Sequence, residues 1–196
     1  MTIDQHAKRR RRPRLVALVA LPVTIAMVIA IMFGLNTANA GVSATADPGS
    51  GGVQINSGGG DLSPLVADTD FTGGMTADCR CSVSPHSANA IPQYAYTTNR
   101  YGDFHYTVPG LTPGAAYAVR LYFAETYWTQ VGQRIFNVSI NGTTVLSSFD
   151  IVAQAGSYAT GIERDFTAVA DDTGQVVVTF TTVKDNAQVN ALVVLP

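Results

Sequence analysis

The chain has 196 residues, of which 46% are hydrophobic and only 13% are charged, and it contains 8 Tyr, 8 Phe and 1 Trp. This composition excludes a wholly disordered chain, which would carry more charge and fewer aromatic residues. Beyond residue 40 there are 6 basic and 13 acidic residues and no basic stripe, so a net charge of about −7 argues against nucleic acid and anionic membrane surfaces as partners.

The amino-terminal segment has the features of an export signal. A basic run at residues 9–14 is followed by residues 15–33, which carry no charge, and then by the residues NTANA. This pattern predicts a signal peptide over residues 1–40 that is cleaved after Ala40. The alternative is an uncleaved anchor over residues 15–35, because an apolar helix of this length nearly crosses a hydrocarbon core of about 30 Å. Both interpretations predict an apolar amino-terminal helix and a domain outside the cytoplasm, either secreted or attached to the outer face of the plasma membrane.

The remaining chain divides into a linker and one domain. Residues 41–51 are small, polar and rich in Gly and Pro, which is typical of a linker. Residues 52–196 have the length of a single domain that buries a substantial core without further crosslinks.

The pattern of the domain is that of β-strands. In residues 116–125 the apolar side chains alternate, so Tyr117, Val119, Leu121 and Phe123 share one face. The segment 135–146 reads as a hairpin, because Asn141-Gly142 at its centre favours a type I′ turn. Further strands are predicted at residues 52–55, 103–108, 175–182 and 188–195.

Short strands separated by turn signals predict an all-β, antiparallel sandwich. Residues 73–92 show no strand pattern, and we expect a long ordered loop there, of the kind that often carries function.

Several blocks of the sequence resemble a malectin domain, and their order and spacing agree with that family. The blocks are VQINSGG at 53–59, YTTNRYG at 96–102, VRLYFAETYW at 119–128, GQRIFNV at 132–138, ING at 140–142, FDI at 149–151 and DNAQVNA at 185–191. The resemblance implies a jelly-roll β-sandwich that binds carbohydrate. It also implies possible partnership with carbohydrate-active enzymes, because bacterial relatives look like modules attached to them.

The resemblance implies four sugar-binding residues. Tyr101 stands at the family's Tyr after an Arg, Tyr127 and Trp128 stand at its two aromatic positions, and Asp185 stands at its acidic position. Three departures concern specificity: Asn99 replaces a common Glu, Trp128 replaces a common Phe, and residues 72–90 lack the family's further Tyr.

The residues themselves allow the same function. Sugars offer an apolar C–H face to aromatic rings and hydroxyl groups to carboxylates and amides. Two adjacent aromatic residues cannot both point inward from an extended strand, so at least one of Tyr127 and Trp128 is expected to be exposed. The alternative is that Trp128 caps the core. For Asp185 and Asn186, the alternative to hydroxyl recognition is turn formation.

The carboxylates of Glu125 and Asp150 raise the question of catalysis. A glycosidase needs two carboxylates, one of them with a raised pKa, and nothing in the sequence singles out such a pair. We expect Glu125 to be a buried partner of Arg100 or Arg134. The expectation is therefore a domain that is not an enzyme and has no cofactor, with a small glycoside hydrolase as a less favoured alternative.

The two cysteines, Cys79 and Cys81, allow two interpretations. Outside the cytoplasm a short disulfide-closed ring is possible. Alternatively, the two thiolates together with His86 and His105 would be four ligands of types that zinc accepts, although the spacing matches no zinc pattern. The expectation is no metal site.

The sequence thus predicts an exported, non-catalytic domain that binds an oligosaccharide or polysaccharide by aromatic stacking and hydroxyl hydrogen bonds. The alternative is a cell-surface adhesion or sensor domain that binds protein or peptide. Nucleic acid is not expected as a partner, and contact with a membrane is expected only through the amino-terminal segment.

Overall fold

The structure, a computed structural model, describes residues 52–196. Within this range the elements follow in the order β1 (Val53–Asn56), β2 (Val66–Ala67), β3 (Phe71–Asp78), β4 (Ser84–Pro85), a 3₁₀ helix (Gln93–Tyr96), β5 (Thr98–Val108), β6 (Ala116–Ala124), β7 (Ile135–Ile140), β8 (Thr143–Phe149), α1 (Ile151–Ala155), β9 (Thr160–Val169), β10 (Val176–Lys184), β11 (Gln188–Val189) and β12 (Ala191–Leu195). The predicted export segment, residues 1–40, and the predicted linker lie outside the described residues. Nothing between residues 52 and 196 forms a helix long and apolar enough to cross a membrane.

The strands form two sheets. The first has the order β2-β1-β12-β6-β9-β4, and in the second β5, β10, β7 and β8 are consecutive neighbours. Strands β3 and β11 lie on opposite sides of β5, because Tyr101 pairs with both Met75 and Gln188. Apart from the short β1–β2 and β4–β9 pairs, the ladders are antiparallel. The prediction of an all-β protein is confirmed, and the two short parallel pairs are departures from the predicted antiparallel arrangement.

The main core lies between the two sheets. Side chains from both sheets join in one buried cluster, including Val119 and Phe123 of β6 and Phe136 and Val138 of β7. These are the faces that the alternating sequence predicts, and all four side chains are fully buried. The hairpin turn is also as predicted, since Asn141 and Gly142 both have positive φ, 47° and 77°. Two sheets that share one core are consistent with a β-sandwich.

A second apolar cluster covers the outer face of the first sheet. Val83, just before β4, and Tyr96, in the 3₁₀ helix, pack there against Tyr122 and Val193 of the sheet. Burial, reinforced by the Glu163 carboxylate, raises the pKa of Tyr122 to about 12, so its hydroxyl stays protonated at neutral pH. It donates to the backbone carbonyl of the covering segment. The outer face of the first sheet is therefore covered at this cluster, while its Arg120 and Asp165 side chains stay partly exposed.

The prediction of a loop over residues 73–92 is wrong in part, because β3 (Phe71–Asp78) and β4 lie wholly or partly within it. Every residue of β3 is exposed, so the strand has no buried face to produce an alternating pattern. Its backbone pairs with β5 regardless of side-chain type. Strand β9 also lacks a clear alternation, since Glu163, Arg164 and Asp165 interrupt it, although it pairs with β6 along its length.

Gly58, just after β1, is a position where glycine is required. It has φ +74°, and a Cβ there would lie 2.1 Å from the carbonyl oxygen of Asn99. Gly110 has φ +75° but no atom within 4 Å of its Cβ position among the described residues. We expect Gly110→Ala to cost roughly 1–2 kcal/mol for the left-handed backbone, and Gly58→Ala a further ~1–3 kcal/mol for the steric clash.

Denaturant unfolding of the two glycine variants measures this difference. Equal losses of stability in Gly58→Ala and Gly110→Ala would show that the backbone contact at Gly58 is not tight.

Candidate functional site

One cleft of about 560 Å³ opens at the end of the second sheet. It is lined by Ala77, Asp78, Cys79, Asn99, Tyr101, Thr126, Tyr127, Trp128, Arg134, Asp185, Asn186 and Gln188. These residues come from the end of β3 and the residue after it, from β5, from the loop after β6, from the residue before β7, from the turn before β11 and from β11 itself. All four residues predicted to bind sugar, Tyr101, Tyr127, Trp128 and Asp185, line this cleft. Whether they bind sugar stays a prediction.

Two aromatic rings project from the loop after β6. The ring centroids of Tyr127 and Trp128 are 4.8 Å apart and the rings are nearly perpendicular, at 89°. Tyr127 is 73% exposed, which confirms the expectation that at least one of the two faces solvent. Trp128 is half-buried and lines the cleft, so it is not a cap on the main core.

Glu125 holds this aromatic loop in place. Its side chain is 1% exposed, and Oε1 accepts hydrogen bonds from the backbone N–H groups of Tyr127 at 2.9 Å and Trp128 at 3.0 Å. Oε2 accepts from Nε of Arg134 at 2.5 Å. The expectation that Glu125 is a buried ion-pair partner is confirmed, and the partner is Arg134. Arg100 pairs instead with Asp68, at 2.7 Å.

Asp185 connects the turn before β11 to Trp128. Its Oδ2 accepts from Nε1 of Trp128 at 2.5 Å and lies 3.3 Å from Nη1 of Arg134. Oδ1 accepts from the side chain of Asn186 at 3.1 Å. A carboxylate has about four lone-pair positions, so the partly exposed Asp185 keeps acceptor capacity for a ligand hydroxyl. It also lies in the turn, with a φ of 56°, which agrees with the turn interpretation, while hydroxyl recognition by this residue stays a prediction.

Amide side chains contribute to the cleft beside β5 and β11. Nδ2 of Asn99 donates to Oε1 of Gln188 at 3.4 Å, and Nε2 of Gln188 donates to the backbone of Ala124 at 2.8 Å. Within residues 52–196 the Oδ1 atom of Asn99 has no hydrogen-bond partner. Gln188 is a cleft residue that was not predicted from the sequence, although it lies in the same block as Asp185.

The two cysteines and Asp150 have structural roles. Cys79 and Cys81 form a disulfide, so neither can supply the thiolate that the zinc alternative needs. Among the described residues, no group of three or more His, Cys, Asp or Glu is arranged to hold a metal ion. Asp150 caps α1 through the N–H of Ala153 at 3.0 Å and also accepts from Gly132.

The contact between Asp185 and Trp128 leads to a test that needs no ligand. Trp128 is the only Trp of the chain, so its fluorescence reports on the cleft alone. We expect Asp185→Ala to shift the Trp128 emission to longer wavelength and to increase quenching by acrylamide, because the indole loses its acceptor. Asp185→Asn keeps an acceptor and tolerates the positive φ, so its change should be smaller. An unchanged spectrum in Asp185→Ala would contradict the contact.

Comparison with known proteins gives a family and a fold. Residues 51–192 match the family model described as "Malectin domain". Malectin-B of Xenopus laevis is 37% identical over 71 residues, which is 35% of this chain and 25% of the relative. Malectin of Homo sapiens is 38% identical over 71 residues, covering 35% of this chain and 24% of the relative. The matched segment spans about a quarter of the length of these curated relatives.

Solved structures share the fold at low identity. The ANX2 ectodomain from Arabidopsis thaliana has a TM-score of 0.63 at 18% identity, covering 72% of this chain and 48% of that one. A structure of the plant peptide RALF23 in complex with FER and LLG2 has a TM-score of 0.62 at 18% identity, covering 72% and 47%. These similarities concern the fold alone.

Proposed function

The chain belongs to the malectin domain family, and from this premise we propose that its cleft binds an oligosaccharide or polysaccharide without catalysing a reaction. One observation carries the proposal. Tyr101, the Tyr127–Trp128 pair and Asp185 come from three distant parts of the chain and converge on one cleft.

The chemistry of the cleft suits a sugar. Perpendicular rings allow Tyr127 and Trp128 to offer different surfaces to one ligand, a flat face and an edge. The carboxylate of Asp185 and the amides of Asn99 and Gln188 are suited to accept from or donate to hydroxyl groups. A single cleft desolvates few ligand atoms, so the affinity of one domain should be modest.

The arrangement of carboxylates supports a non-catalytic role. Glu125 is buried and held by Arg134 and two backbone N–H groups, which leaves it no free proton-transfer position. Asp185 is paired with Arg134 and Trp128. A glycosidase requires one carboxyl group with a raised pKa and a second facing the opposite side of the bond, and these groups do not supply that pair.

The second candidate function is binding of a peptide or protein. The structural relative that contains the peptide RALF23 favours it, and β3 offers an exposed edge to which an extended chain could add. Under either function we propose a location outside the cytoplasm, with residues 1–40 as signal peptide or anchor, residues 41–51 as linker and residues 52–196 as a jelly-roll domain. Carbohydrate-active enzymes are the proposed partners of the sugar-binding form.

A glycan array separates the candidates. The full chain is applied to arrayed neutral and acidic oligosaccharides, with turnover of the same glycans followed in solution. Binding to a defined subset, without hydrolysis, supports the proposal. An array without any binding would overturn it and favour the peptide-binding function, and turnover that is lost in Glu125→Gln would favour the hydrolase.

A further inference from the structure

The cleft has two flanks of different construction. Because β3 and β11 lie on opposite sides of β5, residues 77–79 at the end of β3 and the Asp185 turn face each other across it. The Asp185 flank is tied to Trp128 and Arg134 by hydrogen bonds and an ion pair. The flank at residues 77–79 has no comparable set of side-chain contacts in the described part of the chain.

The flank at residues 77–79 is held mainly by backbone pairing. Every residue of β3 is exposed, and its one aromatic contact with the core, Phe71 against Tyr106, lies at the far end of the strand. Its only strand partner among residues 52–196 is β5, and the pairing is irregular between Gly73 and Met75. Edge strands without buried side chains are among the first parts of a sheet to open.

The disulfide closes the end of this strand. Cys79 lines the cleft, and its N–H donates to the carbonyl of Thr97 at 2.9 Å. Arg80 turns the chain with a φ of 49°, and its N–H donates to Oδ1 of Asp78 at 2.8 Å. Cys81, on the other side of the bridge, packs against the second apolar cluster.

The segment after Cys81 is firmly anchored. Val83 is 1% exposed in the second cluster, and its carbonyl accepts from Nε2 of Gln93 at 2.7 Å. Further along, the Glu163 carboxylate accepts from the backbone N–H groups of Ala88 and Asn89, both at 3.0 Å. The disulfide therefore joins the exposed flank at residues 77–79, the cleft wall, to a segment held on the outer face of the first sheet.

We propose that the Cys79–Cys81 disulfide is a positioning element of the cleft, which holds the wall at residues 77–79 so that ligand affinity depends on the intact bridge. This inference rests on the proposed glycan binding. A dithiol reductant supplies two electrons and two protons, converts the bridge into two thiols and itself becomes a disulfide. The released wall must then be ordered again by each ligand, at a cost in affinity.

The experiment compares three forms of the full chain on the array of neutral and acidic oligosaccharides: oxidised, reduced with excess dithiol, and Cys79→Ser/Cys81→Ser. We expect about a tenfold loss of apparent affinity in the last two forms. Adding reductant to the double variant should not change its glycan affinity further, which controls for effects of the reductant on other parts of the protein. Thermal unfolding confirms that each form is folded.

Amide hydrogen exchange provides a readout without any ligand. We expect faster exchange at residues 75–79 in the reduced form and unchanged exchange in the main core. Equal glycan affinity in all three forms, or equal exchange in β3, would overturn the inference. If the oxidised protein binds no glycan, the proposed function fails, and the exchange measurement still decides whether the bridge holds the wall.

Discussion

We expect Trp128→Ala to abolish glycan binding while the domain stays folded. The side chain is half-buried in the cleft and belongs to no core cluster among the described residues, so its removal leaves the main core intact. A central aromatic contact contributes at least ~2 kcal/mol to binding, or about thirtyfold in affinity. Because a single cleft is expected to bind weakly, such a loss places the glycan affinity of the variant below the detection limit. Isothermal titration with the glycan found on the array measures the effect.

Two further variants separate stacking from positioning. Tyr127→Ala removes the 73%-exposed ring, has little effect on stability and should weaken binding by a comparable factor. Trp128→Phe keeps a stacking ring but cannot donate to Asp185, so an intermediate affinity is expected. The matched control is Tyr94→Ala, which removes a tyrosine that is 60% exposed and does not line the cleft. Retained affinity in Trp128→Ala, or an equal loss in Tyr94→Ala, would count against the cleft as the binding site.

Glu125→Ala destabilises the whole domain. Its side chain is 1% exposed, and its removal leaves the Arg134 guanidinium, 7% exposed, with the Asn186 carbonyl at 2.6 Å and a single carboxylate, Asp185, at 3.3 Å. Breaking a buried ion pair from one side costs about 3–5 kcal/mol, which corresponds to a fall in melting temperature of about 10 °C for a domain of this size. The backbone N–H groups of Tyr127 and Trp128 lose their acceptor as well.

Thermal unfolding of Glu125→Ala beside Arg120→Ala tests this prediction. Arg120 pairs with Asp165 at 3.5 Å on the surface, where both side chains are partly exposed, and such pairs contribute less than about 1 kcal/mol. A Glu125 variant as stable as the Arg120 variant would show that the buried pair contributes little. The glycan affinity of Glu125→Ala could then be compared directly with that of the unsubstituted protein.

Trp128→Ala and Glu125→Ala distinguish an effect on ligand binding from an effect on folding. In the proposed function Trp128 contacts the ligand, whereas Glu125 holds the loop that carries Trp128. A loss of binding in Glu125→Gln accompanied by a lower melting temperature would therefore be a structural effect, whereas the hydrolase alternative requires lost turnover at unchanged stability.

Much of the fold could be predicted because burial has a local signature. The alternation in β6 and β7 marks the side chains that meet in the core, and Asn141-Gly142 marks the turn between β7 and β8. The missed strands lack this signature. β3 is exposed throughout, so it is held mainly by backbone pairing that any sequence can make. β9 carries charged residues at its centre, which interrupt the alternation although Ile162 and Ala168 reach the main core.

The candidate site, too, could be predicted only in part from the sequence. The resemblance to malectin domains identified four of the residues that line the cleft, and the position of Glu125 after an alternating strand indicated a buried ion pair. The contacts that shape the cleft join residues far apart in the chain, such as Trp128 and Asp185, which are 57 positions apart. Periodicity reports whether a side chain is buried, but it does not report which distant polar group it contacts. The fold class, the core faces and the candidate residues could therefore be read from the amino-acid order, whereas the cleft, the support of its aromatic loop and the bridged wall opposite depend on how the distant segments pack.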